Sequence, residues 1–141
     1  MPQELSYFRL SLLSFLRDSH PDLVNDSNLI ATRGDAAANA YSAAIKNGQS
    51  HDQAAEAANE VLYAGLLFSP YRTIVKILLE EFEKEVPPTL AKEVAIGLLP
   101  ELKDVFSKYE RSDDFDTTPE YDRLYTELTG SIQILLEDGL Q

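Results

Sequence analysis

The chain has 141 residues, 24 acidic and 12 basic, giving a formal net charge of -12 at pH 7, with two histidines and no cysteine. This length suits one domain that buries roughly 70% of its unfolded surface, and 44% hydrophobic with 26% charged residues excludes disorder over the whole length. The absent cysteines exclude disulfide and thiolate chemistry and fit a reducing cytoplasm, while the acidity disfavours nucleic acid and anionic membranes, with Lys46, Arg72, Lys76, Lys84, Lys92, Lys103 and Lys108 too dispersed to form a basic patch.

The first helix is expected from near Glu4 to Arg17, because Leu5, Phe8, Leu12, Phe15 and Leu16 recur at spacings of three and four and share one face. Glu4 and Arg9 interrupt its apolar run, and neither a basic leader nor a small-residue cleavage pattern accompanies it, so it does not read as a signal peptide. His20 and Pro21 end it, since proline disfavours helical dihedrals in the residue before it.

A second helix spans about Ser27 to Asn47, with Ala36, Ala37, Ala40, Ala43 and Ala44 permitting close helix approach and Gly48 placed for a left-handed cap. Gly34 costs about 1 kcal/mol relative to alanine inside a helix, which leaves open a separate short helix or a bend. The tripeptide Arg33-Gly34-Asp35 lies in this helix, whereas an adhesion motif needs an exposed loop.

Ser50 and Gln53 form a capping box that opens a third helix, with Ala54, Ala58, Val61 and Leu62 facing inward and an end near Gly65. Ser69 and Pro70 then read as cap and first-turn proline of a fourth, Tyr71 to Glu85. It should bury Ile74, Val75, Leu78 and Phe82, present Glu80, Glu81, Glu83 and Glu85 to water, and end at Pro87 and Pro88.

Thr89 to Leu99 and Glu101 to Tyr109 read as two short helices divided by Pro100. The last helix opens with Thr117, Thr118 and Pro119, carries Tyr121, Leu124, Tyr125, Leu128, Ile132, Leu135 and Leu136, and closes at Gly139. No segment alternates as a sheet strand would, and apolar runs such as Val94 to Leu99 fall far short of the roughly 20 residues of a membrane-spanning helix. The fold expected is all-α, a single domain over residues 1–141 with about six or seven helices.

Two stretches carry a resemblance: ELSYFRLSLLSFL, from Glu4 to Leu16, and DDFDTTPEYDRLYTELTG, from Asp113 to Gly130. Over essentially its full length the chain resembles a family of short acidic proteins from anaerobic gut and oral bacteria, catalogued as a domain of unknown function and often encoded beside mobile-element genes. That resemblance implies a multihelical single domain in a bacterial, cytoplasmic setting and supplies no catalytic residues.

Three constellations remain. Asp113, Asp114, Asp116, Glu120 and Asp122 offer hard oxygen ligands for calcium or magnesium, but they lack the glycine and terminal glutamate of an EF-hand and read instead as a solvated turn before a capped helix. His20 and His51 could act as base or ligand, yet neither has motif company. In the last helix Tyr121, Tyr125, Leu128, Ile132 and Leu135 form one stripe, which is core by spacing and a docking surface where the apolar width exceeds what the core needs.

No phosphate loop, dinucleotide glycine pattern, zinc spacing or serine elbow is present. The expectation is therefore a non-catalytic interaction module without cofactor or metal, either a homodimer or an adaptor with a protein partner. An alternative is a nucleic-acid mimic displaying Glu80, Glu81, Glu83, Glu85, Asp113, Asp114 and Asp116 as an acidic patch. A carboxylate-based metal protein stands behind both.

Overall fold

The computed structural model describes residues 2–138, with side-chain environments from Tyr7 onward, and it is all-α, with seven α-helices, four short 3-10 turns and no strand among the described residues. The chain divides into two compact units, Met1–Leu67 and Phe68–Gln141. Among the described residues no helix is long and apolar enough to cross a membrane.

The first unit consists of α1 (Pro2–Ser19), α2 (Ser27–Lys46) and α3 (His51–Leu62), with α2 packed against both neighbours. The expected face of α1 turns inward: Phe8, Leu12 and Leu16 are buried and Phe15 is half-buried, while the side chain of Leu5 lies outside the described residues. They meet Ala37 and Ala38 of α2 and Ala58 of α3, small residues that let the backbones come close, together with the larger Leu62.

α2 is one continuous helix through Gly34, neither two segments nor an interruption. The reason lies across the helix interface. A Cβ at Gly34 would stand 2.5 Å from Cγ of Arg9 and 3.5 Å from its backbone nitrogen, so the glycine leaves room for α1 at this point. Asp26 caps α2 by accepting from the Leu29 N–H at 3.0 Å. Gly48, at φ +84°, closes the other end in a Schellman turn, with the Gln49 N–H donating to Ala44 and the Gly48 N–H to Ile45, both at 3.0 Å.

The capping box of α3 forms as the sequence predicts, the Gln53 N–H reaching Ser50 Oγ at 3.2 Å and the Ser50 N–H reaching Gln53 Oε1 at 3.0 Å. Ala54, Ala58 and Leu62 are fully buried and Val61 half-buried.

The second unit contains α4 (Pro70–Glu81), α5 (Ala91–Leu98), α6 (Lys103–Ser107) and α7 (Pro119–Glu137). Ser69 Oγ caps α4 by accepting from the Arg72 N–H at 3.0 Å. The helix ends at Glu81, four residues short of the expected Glu85, with Phe82 as its C-cap (φ -128°, ψ 29°). One isolated turn follows, the Val86 N–H donating to the Phe82 carbonyl at 2.8 Å, and Pro87 and Pro88, which lack an N–H, keep the helix from resuming beyond it. Phe82 and Val86 still reach the core.

Pro100 divides α5 from α6 as expected, through a turn at Pro100–Leu102. α7 begins at Pro119, but the Thr118 hydroxyl donates to the Phe115 carbonyl at 2.7 Å instead of capping the helix. Gly139, the expected terminator, lies outside the described residues. Leu124, Leu128 and Ile132 of α7 pack into one core with Ile74, Leu78 and Leu98.

Candidate functional site

In the first unit the three helices leave a cleft of about 440 Å³, lined by Tyr7, Phe8, Tyr41, His51, Asp52, Ala55 and Asn59. Adjacent residues on a helix point about 100° apart, so Phe8 enters the core at 5% exposure while Tyr7 stands at the lip at 65%. Their rings meet edge to face with centroids 5.2 Å apart. Phe8 also lies 6.3 Å from the Tyr41 ring on α2.

His51, Ala55 and Asn59 recur every fourth residue of α3 and so share a face beside its buried Ala54, Ala58 and Leu62 side. The capping box fixes where α3 starts, and with it the position of His51 in the first turn. There the imidazole stacks on Tyr41 at 6.3 Å and 28°, and Nδ1 shares a 2.7 Å hydrogen bond with the Tyr41 hydroxyl. Ala55 contributes little bulk, which keeps the floor open.

Chemically the described lining is a wall of ring faces with one carboxylate, one amide and one imidazole. Among the described residues no serine, threonine, cysteine or lysine lines it, so no base-activated nucleophile is assembled. Elsewhere in the unit, burial together with the electrostatic influence of Tyr7 raises the pKa of the Tyr63 phenol.

His20, the other sequence candidate, is buried elsewhere in the unit. Its Nε2 lies 2.7 Å from the Leu66 carbonyl, and its ring packs 5.9 Å from Phe15. The Arg33-Gly34-Asp35 tripeptide is likewise turned to internal use: Arg33 donates to the Val61 and Leu62 carbonyls, and Asp35 pairs with Arg9 at 2.7 Å.

The second unit holds the aromatic stripe and the acidic residues. Leu128 and Ile132 are fully buried, and Tyr121, Tyr125 and Leu135 are half-buried against the same core. Tyr125 joins the two sets, its hydroxyl donating to Glu80 Oε1 at 2.7 Å and Glu81 Oε2 at 3.0 Å. Burial and those two carboxylates hold its phenol pKa well above the ordinary value.

Glu80, Glu81, Glu83, Glu85, Asp113, Asp114 and Asp116 are all exposed. Asp114 accepts from Ser112 Oγ at 2.7 Å and belongs to the turn before Phe115, while Glu120 pairs with Arg123. A second cleft, about 500 Å³, is lined by Glu81, Glu85 and Glu137 with Phe82, Gln133 and Leu136. Among the described residues no three histidine, aspartate or glutamate side chains converge in a way that could hold a metal ion.

Of the first cleft, the sequence points to His51 as a candidate and to Phe8 as part of the inward face of α1, and nothing in it brings Tyr7, Tyr41, Asp52, Ala55 or Asn59 to the same place. The fourfold spacing of His51, Ala55 and Asn59 was the available signal. Its meeting with Tyr41 depends on how α2 crosses α3, which no local pattern records.

A family model described as "Domain of unknown function (DUF1896)" matches residues 1–140. The chain is also similar to protein PG0816 from Porphyromonas gingivalis, known from a crystal structure: 45% identity, a TM-score of 0.91, and coverage of 97% of this chain and 93% of that one. Among curated proteins nothing matches.

Proposed function

The chain belongs to the family described as a domain of unknown function (DUF1896), and from that premise we propose that it is a non-catalytic protein-interaction module working through the cleft of its first unit. The observation that carries this reading is Tyr7. A ring that helps line the cleft is left 65% exposed, and Leu10, one turn further along α1, is 66% exposed. Amphipathic rings at the mouth of a concave site are typical anchors of protein contacts. A chain without cysteine suits such work in a reducing cytoplasm.

The partner is a second copy or another protein, and one paired experiment tests both. The tagged chain and its Tyr7→Ser/Leu10→Ser variant are used for affinity capture from native lysate at low and moderate salt, with sedimentation of each alone. The expected result is a stoichiometric partner or a dimer that survives moderate salt and is lost in the variant. A monomer that captures nothing, or a partner indifferent to the variant, defeats the reading.

A second reading draws on the acids. Sixteen of the 24 acidic residues fall in residues 68–141 against eight of the 12 basic ones, and the seven candidate carboxylates there are exposed. Nucleic-acid mimicry predicts that the chain displaces DNA from a basic DNA-binding protein and that Glu83→Lys/Glu85→Lys weakens this sharply.

A further inference from the structure

Building on the interaction reading, we propose that the cleft between α1, α2 and α3 receives one arginine side chain of the protein partner. The rings supply the first reason. Tyr7, Phe8, Tyr41 and His51 follow one another with neighbouring centroids 5.2 to 6.3 Å apart, so π faces and edges run along the cleft. A cation within about 6 Å of such a centroid is attracted by the ring quadrupole, and a planar guanidinium can also stack, which an ammonium cannot.

Charge is the second reason. Among the described residues Asp52 is the one carboxylate in the lining and no lysine or arginine accompanies it, and the chain carries -12 overall. The field therefore draws a cation in, and Asp52 offers a guanidinium two acceptor oxygens. The N-terminus of α3 would by itself favour an anion. Asp52, in that same first turn, offsets it.

Shape is the third. The cleft is open to solvent at Tyr7 and floored by the small Ala55, with the Asn59 amide able to accept a further N–H. The second unit already shows the same pairing of groups, Arg111 lying 5.7 Å from the Phe106 centroid.

The test titrates the full chain with n-butylguanidinium and with acetyl-Gly-Arg-Gly-amide, followed by aromatic proton–carbon NMR. n-Butylammonium, n-butanol and butyrate serve as controls. The expected result is saturable shifts of Tyr7, Phe8 and Tyr41 with both guanidinium probes, weaker shifts with butylammonium, and none with butanol or butyrate. Asp52→Asn and Tyr7→Ala, both on exposed positions outside the core, should each weaken guanidinium binding about fivefold.

Absence of saturable shifts overturns the proposal, as does butyrate or butanol binding equally well, or indifference to Asp52→Asn. The outcome separates from that of the interaction reading. A partner held through Tyr7 and Leu10 by a chain that ignores both guanidinium probes sinks this inference alone, whereas guanidinium binding by a chain that captures no partner leaves the specificity of the cleft standing and removes the module.

Discussion

Replacing Arg33 by methionine tests the packing logic of the first unit. Arg33, half-buried on α2, donates through Nη1 to the carbonyls of Val61 at 3.3 Å and Leu62 at 3.2 Å. These belong to the last turn of α3, where in-helix donors run out. The Leu66 N–H, which a continuing helix would give to Leu62, goes instead to Tyr63 at 3.0 Å. A hydrogen bond from a charged donor contributes about 1.5–3 kcal/mol net. Both distances sit at the long end of the normal range, so the pair is counted as one bond of about 1.5 kcal/mol. A cation beside a helix C-terminus adds about 0.5 kcal/mol.

Arg33→Met, which keeps most of the apolar stem, should therefore cost about 2 kcal/mol. In urea melts followed by far-UV circular dichroism, the midpoint should fall by about 1 M with an unchanged slope. Arg33→Lys keeps the charge without the fork and should recover about a quarter of the loss. A loss below about 0.5 kcal/mol for Arg33→Met, the ordinary range of surface substitutions, would refute the claim that α2 holds the end of α3.

Glycine substitutions should divide by environment. Gly34→Val collides with the stem of Arg9 and should lower stability by about 2 kcal/mol, whereas Gly97→Ala and Gly130→Ala, with nothing within 4 Å, should each raise it by about 0.5–1 kcal/mol in the same melts. Ser50→Ala removes one arm of the capping box and should cost about 1 kcal/mol by thermal or urea melting. Tyr125 governs an alkaline effect: its phenol pKa is raised in the folded chain by burial and then by Glu80 and Glu81, so the unfolded chain releases that proton first as pH climbs past about 10. Stability present below pH 10 is thus lost above it, and Tyr125→Phe should flatten that loss in denaturation curves taken between about pH 9 and 11; an unchanged slope against pH would contradict the assignment.

Elements governed by local rules were legible. The Ser50 and Gln53 box, the Ser69 and Pro70 start and the Gly48 terminator each act within a few residues of chain, and each forms as the sequence predicts. Where a distant group takes part, local reading fell short. Gly34 reads as a flaw in α2 until Arg9 of α1 is seen to occupy the space of its missing side chain. The last helix reads as capped at its opening threonines, but the Thr118 hydroxyl turns back to Phe115. The run ending at Glu85 reads as helix because its charges tolerate one, but the chain leaves helical dihedrals at Phe82 and makes only one isolated turn before Pro87 and Pro88.

The same distinction explains the candidate site. Helical periodicity gives the phase of each residue around its own axis, which is enough to find a core: Leu128 and Ile132 are buried, and the tyrosines of their stripe pack against that core at its edge. A binding cleft needs the phases of three helices relative to one another. Tyr7, Tyr41 and His51 lie 34 and 10 residues apart along the chain, and their convergence follows from the alanine-mediated approach of α2 to α3 and from the glycine that admits α1. The residues that bring the helices together are therefore the small ones, Gly34, Ala37, Ala38 and Ala58, and the chemistry collects at the rim of their contacts. Enlarging any of them should disturb ligand shifts at Tyr7 and Tyr41 without touching a ring, which places control of the site in its packing rather than in its lining.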